Sequence, residues 1–372
     1  MSITSKIIKA NLLPLLLLVF GNLSAQNISL MDFCGWRPVA ISEQVPNDLT
    51  SSRSAVIISM EAKEVGDKTR PQWEKLAKKI HADLRKMYVD PVCYVFEDDL
   101  KAGPEIRKAF VLEFQQRGIK NLILLERKFV GLDETHSIKI ARFNGQSDLT
   151  AENEKVWAQI ESPYDLITLR LGRQIIRQNI ERTNFLIPED PNILKDLPVF
   201  TGVHLGSYPG LIRRANLAVV VPEKHKIFAG ISASEQEILR QENLLIDKKV
   251  QEIESLMSLY PYKYQMVSYS DDETLYKQGF QFALLPIHST GHTIKNMLNY
   301  KISGTETDYI SMVPKDSAGV SLKTIPVNQM VHKYYIKQTI AHDVYVGKEW
   351  DSDFTWESAL RNFIVNLSRA LN

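Results

Sequence analysis

Apolar and polar positions divide the chain into short strands and amphipathic helices, and the same order of elements comes round twice. The first series opens on an apolar run over 55–60 that reads as a buried strand. Trp73, Leu76, Ala77, Ile80, Leu84 and Met87 then recur at helical spacing, which predicts a one-faced helix over 71–87. Thr69 with Gln72 offers a capping box there, and Pro71 suits a first turn. A strand over 92–96, a helix over 104–117 stopped at Gly118 and a strand over 121–126 follow. Two antiparallel strands, 136–143 and 154–160, and a helix begun by Ser162, Pro163 and Asp165 and running to 184 close the series.

The second series reads strand 216–221, helix 234–260, strand 264–269, short helix 272–277 and strand 280–287. Strands over 309–313, 330–340 and 344–346 precede a helix from 353 with Trp356, Leu360, Phe363, Ile364, Leu367 and Leu371 on one side. Each series is read as a β-α-β-α-β-β-β-α module, the second with one strand more than that pattern needs among 309–313, 330–340 and 344–346, so an α/β (α+β) fold of two tandem modules with mixed sheets is expected. Two junctions match: the second strand ends in acids in both, Glu97-Asp98-Asp99 against Asp271-Asp272-Glu273, and the second helix stops at Gly118 or Gly279 before an apolar strand. An internal duplication is the preferred account of both, against a chance matching of glycine stops. The modules span 51–186 and 214–372. Between them, 187–213 holds Pro188, Pro191, Pro198 and Pro209 with Gly202, Gly206 and Gly210 and reads as a connector. Ile193, Leu194, Val199, Phe200 and Tyr208 give it apolar residues with which to pack on the modules.

The ends of the chain add an address. Lys6 and Lys9 precede an apolar run over 12–20, and Leu23-Ser24-Ala25 before Gln26 has the small residues of a cleavage site, so 1–25 reads as an export signal and 26–50 as an amino-terminal arm. The apolar run, interrupted by Pro14, is far shorter than the roughly 20 residues of a membrane-spanning helix. No transmembrane segment is expected. A periplasmic or extracellular protein follows, with a peripheral place at the outer membrane among the options. Neither cysteine sits in the context of a lipid-attachment site. The formal charge of +1 becomes −1 once Lys6 and Lys9 are removed, which argues against a general nucleic-acid or anionic-membrane binder, since both want a clear basic excess. Cys34 and Cys93 could close a loop of roughly 60 residues worth about 4 kcal/mol. A buried free thiol at Cys93, within the apolar run 92–96, is preferred.

Gly118-Ile119-Lys120-Asn121-Leu122-Ile123, which carries the chain from the second helix into the third strand, together with the element order, resembles the small α/β module of the TolB amino-terminal domain and of curli-secretion-type outer-membrane lipoproteins. The resemblance implies an interaction platform without a common catalytic motif. No functional residue transfers from it.

Mechanism-bearing motifs are missing: there is no Gly-x-Ser-x-Gly, phosphate-cradling glycine loop, His-Glu-x-x-His or Cys-x-x-Cys. The acids at 97–99 and 271–273 fall where α/β sheets bind ligands, outside the carboxyl ends of strands, but acids that open a helix also stabilise its positive end. That second reading is preferred. His288 and His292, with Asp271 or Asp272 nearby after folding, form a candidate metal site, but a plain polar turn after the strand 280–287 is preferred, since Gly291 spoils a rigid helical pairing of the two rings, and no metal is expected. His342-Asp343 is a weaker version set on a strand surface. Arg170, Arg173 and Arg177 share one side of the closing helix of module 1 and form a candidate interaction face for an acidic partner or phosphate groups, against a plain solvated face. The reading with most support is an exported, non-enzymatic cell-envelope protein that binds other envelope proteins and needs no cofactor. Its rivals are a metal-dependent hydrolase with a site in module 2 and a small-ligand sensor binding between the modules.

Overall fold

Two six-stranded mixed sheets organise the chain. The computed structural model describes residues 41–61, 69–130, 133–151, 154–195, 197–227, 233–315 and 319–372; the expected export signal, the start of the arm and Cys34 lie outside the described residues. In module 1, β1 (Ile41–Ser42), β2 (Arg53–Met60), β3 (Asp90–Phe96), β4 (Ile119–Val130), β5 (Asp133–Arg142) and β6 (Val156–Glu161) lie in the order β1-β6-β5-β4-β2-β3. Module 2 arranges β7 (His204–Leu205), β8 (Leu217–Val221), β9 (Tyr264–Ser268), β10 (Phe282–Thr290), β13 (Met330–Gln338) and β14 (Val344–Tyr345) as β7-β14-β13-β10-β8-β9. From the β1 or β7 edge inward, both sheets pair parallel, antiparallel, antiparallel, parallel and parallel. Strand order and sense are therefore the same in the two modules.

The apolar runs become strands because both of their faces are covered. Along β2, Ala55 and Ile57 face one core while Val56 and Ile58 face another, and none of the four is exposed. Helices α1 (Glu74–Lys86) and α4 (Tyr164–Arg177) cover the outer face of sheet 1. Between β3 and β4, α2 (Glu97–Leu100) leads into α3 (Pro104–Gln116), which covers the inner face through Ile106, Phe110 and Phe114. On the outer face of sheet 2 lie α5 (Ala233–Met257) and α8 (Trp356–Leu371). The inner faces of both sheets, α3, and Leu275 of α6 (Asp272–Lys277) share one continuous apolar core. The helix-ending glycines do what their spacing implies: Gly118 and Gly279 follow α3 and α6 with φ of 69° and 91°, the left-handed conformation that closes a helix without side-chain strain.

Module 2 departs from the expected order. The strand 309–313 is not in the sheet. Between β10 and β13 the chain inserts α7 (Gly291–Met297) and a hairpin of β11 (Asp308–Pro314) and β12 (Val320–Pro326), whereas in module 1 β4 leads straight into β5. The arm and the connector show no strand pattern in the sequence, yet each supplies a two-residue edge strand, β1 and β7. Elements this short carry no periodicity and exist only because a sheet edge is there to receive them. Helix ends differ as well. Trp73 precedes α1 without any side-chain cap bond, so the Thr69 and Gln72 capping box is not formed, and α4 ends at Arg177 instead of continuing to 184. The connector is fastened to both sheets, with Tyr94 N–H donating to Asn192 O at 2.8 Å and Val344 N–H to Val203 O at 2.9 Å. Cys93 is a fully buried free thiol on β3, and burial pushes it up to about 12.

Candidate functional site

The parallel strands of sheet 1 create a crevice. The chain leaves β2 toward the outer helix α1 but leaves the adjacent β3 toward α2 and the inner helix α3, so the two carboxyl ends part company. Such a switch point is where open α/β sheets accept ligands. Polar side chains line up across it. Glu97, at the end of β3, accepts a hydrogen bond from Ser59 of β2 and pairs with Lys101 at 2.7 Å. Ser59 lies in register with Glu126 of β4, whose carboxylate meets Lys139 Nζ at 2.6 Å and Ser137 Oγ at 2.5 Å. Arg70 grips Asp99 with both terminal guanidinium nitrogens, Nη1 and Nη2, at 2.7 and 2.6 Å, and lies 4.7 Å from the Phe96 ring centroid. Beside them Asp98 is pushed up to about 6, first by burial and then by the charges of Glu97 and Asp99. A carboxyl in that state exchanges its proton near neutral pH.

Module 2 supplies the facing wall. Arg70, Glu74, Asp99 and Lys195 line a cleft of about 760 Å³ with His292 and Asn296 of α7 across from them. The inserted segment builds this wall: Gly291 N–H donates to Gln329 O, His292 N–H to Val327 O, and Gln329 Nε2 reaches Thr69 Oγ1 of module 1 at 3.1 Å. Charges of both signs stand in pairs at the cleft, Arg70 with Asp99 and Lys195 with Glu74 at 3.0 Å. It can hold a polar, charge-balanced ligand.

A second polar group joins the modules in their buried core. Glu105, at the start of α3, meets Lys337 of β13 at 2.6 Å and accepts from Tyr269 Oη at 2.8 Å. Lys337 also meets Asp272 at 2.7 Å, and Asp272 meets His342 Nδ1 at 2.7 Å. Backbone contact backs this up, because His288 N–H donates to Ala102 O at 2.7 Å and a Cβ on Gly103 would stand 2.8 Å from Pro286 O. Sequence reasoning missed Glu105 and Lys337. Lys337 sits in an alternating strand as a polar residue should, and only the facing module 1 turns its side into an interior.

The metal candidates are not gathered into one group. Asp271 caps α6 by accepting from Thr274 N–H at 2.8 Å, while Asp272 serves Lys337 and His342. The polar turn expected at 288–292 is instead the end of β10 and the start of α7. His288 is turned to the outer face of sheet 2, stacked on His332 across the strand pair at 3.9 Å between centroids, and burial lowers it to about 4. His292 faces the cleft and stands 3.4 Å from Tyr309 Oη. Among the described residues no three His, Cys, Asp or Glu are placed to hold a metal ion. His342 lies in the turn after β13 with φ of 60°, not on a strand surface. Arg170, Arg173 and Arg177 share the exposed side of α4, where Arg170 pairs with Glu161 at 2.9 Å.

The hairpin has one covered side and one bare side. Tyr309 and Ile325 pack inward, and Met312 N–H of β11 donates to Trp350 O at 2.7 Å. Outward, Ile310, Val320 and Leu322 are exposed, and among the described residues no strand pairs with the far edge of β12. None of the described helices is long and apolar enough to cross a membrane. No protein-family model matches the chain, and no curated protein is significantly similar to it.

Proposed function

We propose that the chain is an exported, non-enzymatic protein of the cell envelope whose two modules act as one platform for a protein partner. The observation that carries this reading is the inserted hairpin. It is the main departure from the strand order the modules share, and it presents a bare strand edge together with the apolar side chains Ile310, Val320 and Leu322. An extended segment of a partner can add to such an edge through main-chain hydrogen bonds and gain specificity from alternate side chains. The inner side of the hairpin is anchored in the shared core through Tyr309 and Ile325. A photo-crosslinking residue at Leu322 should trap a discrete envelope protein in living cells, and Leu322→Asp should abolish co-purification. Absence of any adduct from Leu322 while adducts form elsewhere on the surface would count against the hairpin.

A second reading has its own support, the cleft at the sheet 1 switch point with its paired charges. Its occupant would be a small zwitterion. A library of free amino acids and dipeptides should then raise the melting temperature of the wild type and not of Arg70→Gln, and a flat response across the library would remove this reading.

A further inference from the structure

The two outer helix layers carry opposite charge. On α1, Lys75, Lys78, Lys79, Arg85 and Lys86 outnumber Glu74 and Asp83, and on α4, Arg170, Arg173 and Arg177 outnumber Asp165, so this layer holds eight basic and three acidic side chains in a chain of net charge +1. The corresponding layer of α5 and α8 has an excess of acid. All eight basic side chains are exposed. Several have partners: Lys79 with Asp165, Lys86 with Asp83, Arg85 with Glu189 and Arg170 with Glu161. Lys75, Lys78, Arg173 and Arg177 have none among the described residues.

The crest of α4 is not simply basic. Leu166, Leu169 and Ile176 are 39, 45 and 67 % exposed, and at 100° per residue they fall on the same arc as Arg170, Arg173 and Arg177. A helix whose buried side already completes a core has no fold-related need of three more apolar side chains on its water side. The two helices touch, since Tyr164 Oη of α4 donates to Asp83 of α1 at 3.1 Å and Lys79 lies 3.8 Å from the Tyr164 ring centroid. Cations and apolar side chains therefore share one surface.

The geometry points to this surface as a docking face for an anionic phospholipid bilayer, with α4 lying in the interface. Leucine and isoleucine side chains of the crest enter the boundary between headgroups and acyl chains, while the arginines beside them extend to lipid phosphates, which accept two hydrogen bonds from one guanidinium. The unpaired lysines of α1 add attraction to the negative surface. A bilayer meets both chemistries at once. A purely acidic solute would leave Leu169 and Ile176 in water, and no aromatic side chain is interleaved with the arginines of α4 for stacking on nucleic-acid bases. This partner is of another class than the protein proposed for the hairpin and engages a different module, so either proposal can fail alone.

Co-sedimentation with vesicles tests it, using the chain from Gln26, which retains every described residue and lacks the apolar run of 12–20. Binding should be strong to vesicles of equal parts phosphatidylglycerol and phosphatidylcholine, at least about tenfold weaker to phosphatidylcholine alone, and lost as salt is raised. Arg173→Glu with Arg177→Glu should weaken binding at least about tenfold. Leu169→Ser with Ile176→Ser should weaken it at unchanged salt dependence, and Lys348→Glu, in module 2, should leave it intact. Circular dichroism establishes that each variant is folded, which the exposure of these side chains favours. Equal binding to both vesicle types, binding to neither, or wild-type binding by the charge-reversed variant would each overturn the proposal. So would capture of soluble polyglutamate without capture of vesicles, which would assign the face to an acidic protein.

Discussion

Two partly buried titratable residues respond to pH in opposite senses. Asp98 is pushed from 3.8 up to about 6 by burial and by its neighbours Glu97 and Asp99, so the stability it contributes is full below about pH 4 and is lost as pH rises through 6. The ionised carboxyl then costs up to about 3 kcal/mol. Asp98→Asn removes that cost: urea denaturation should find the variant more stable than wild type by about 1–3 kcal/mol at pH 7.5 and equal to it at pH 4. His288 is lowered to about 4 by burial, with Lys249 acting in the same direction, so its contribution is present above about pH 6.5 and is lost as pH falls through 4. Phenylalanine keeps a ring against His332 but cannot be protonated. In His288→Phe the acid limb of the stability curve between pH 6.5 and 4 should be flatter than in wild type, and an identical limb would show that other groups set it.

At the scale of elements, the contact between the modules depends on few positions. Lys337 is the one cation placed between Glu105 and Asp272 in the described structure; Glu105 and Lys337 are buried, and Asp272 is nearly so. Lys337→Met leaves two carboxylates facing each other without it, and removing one partner of a buried ionic group costs about 3–5 kcal/mol. Guanidinium denaturation should show a loss of that size, and a change under about 1 kcal/mol would mean that water reaches the group. Gly103 makes a separate point. Its backbone is extended and unstrained, but a methyl group there would be pressed on Pro286 O at 2.8 Å, so Gly103→Ala should destabilise by about 1–3 kcal/mol through forced separation of α3 from β10. A neutral result would show that the loop before α3 can retreat. The hairpin of β11 and β12 follows another logic, because no counterpart exists in the described part of module 1 and, among the described residues, no strand pairs with the outer edge of β12.

For the whole molecule, the continuous inner core decides how it unfolds. Residues from both sheets contribute to that core, and α3 fills the space between them. Neither module can expose its inner face without exposing Phe110, Phe114, Tyr335 and their neighbours. Thermal unfolding followed by circular dichroism and by tryptophan fluorescence should therefore give coincident single transitions. The chain truncated after residue 186 should aggregate or remain partly folded, for want of the apolar surface that module 2 supplies. Two separate transitions would mean that each module has enough core of its own. The opposite charge of the outer helix layers belongs to this scale as well, since it orients the molecule in the field of any charged surface.

Much of the fold is written in the order of apolar positions. Runs such as 55–60, 121–126 and 280–287 have no way to stay in water and become central strands, and helical spacing places α1, α3, α4 and α8 within a few residues of most of their ends. Gly118 and Gly279 mark helix stops because only glycine takes the left-handed turn at no cost. What cannot be read is everything that depends on a distant surface. β1 and β7 are strands only because an edge receives them, and the strand 309–313 leaves the sheet because β13, with more buried positions, pairs with β10 in its place. Lys333 and Lys337 alternate along β13 as solvated residues would, yet Lys333 is fully buried against Asp351 at 2.5 Å and Lys337 is held by Glu105, more than two hundred residues away in sequence. Local pattern registers whether a side chain is polar. Whether that polar group meets water or an opposite charge is settled by the facing module, and so only the tertiary structure decided where the charged interior, the cleft and the uncovered surfaces lie.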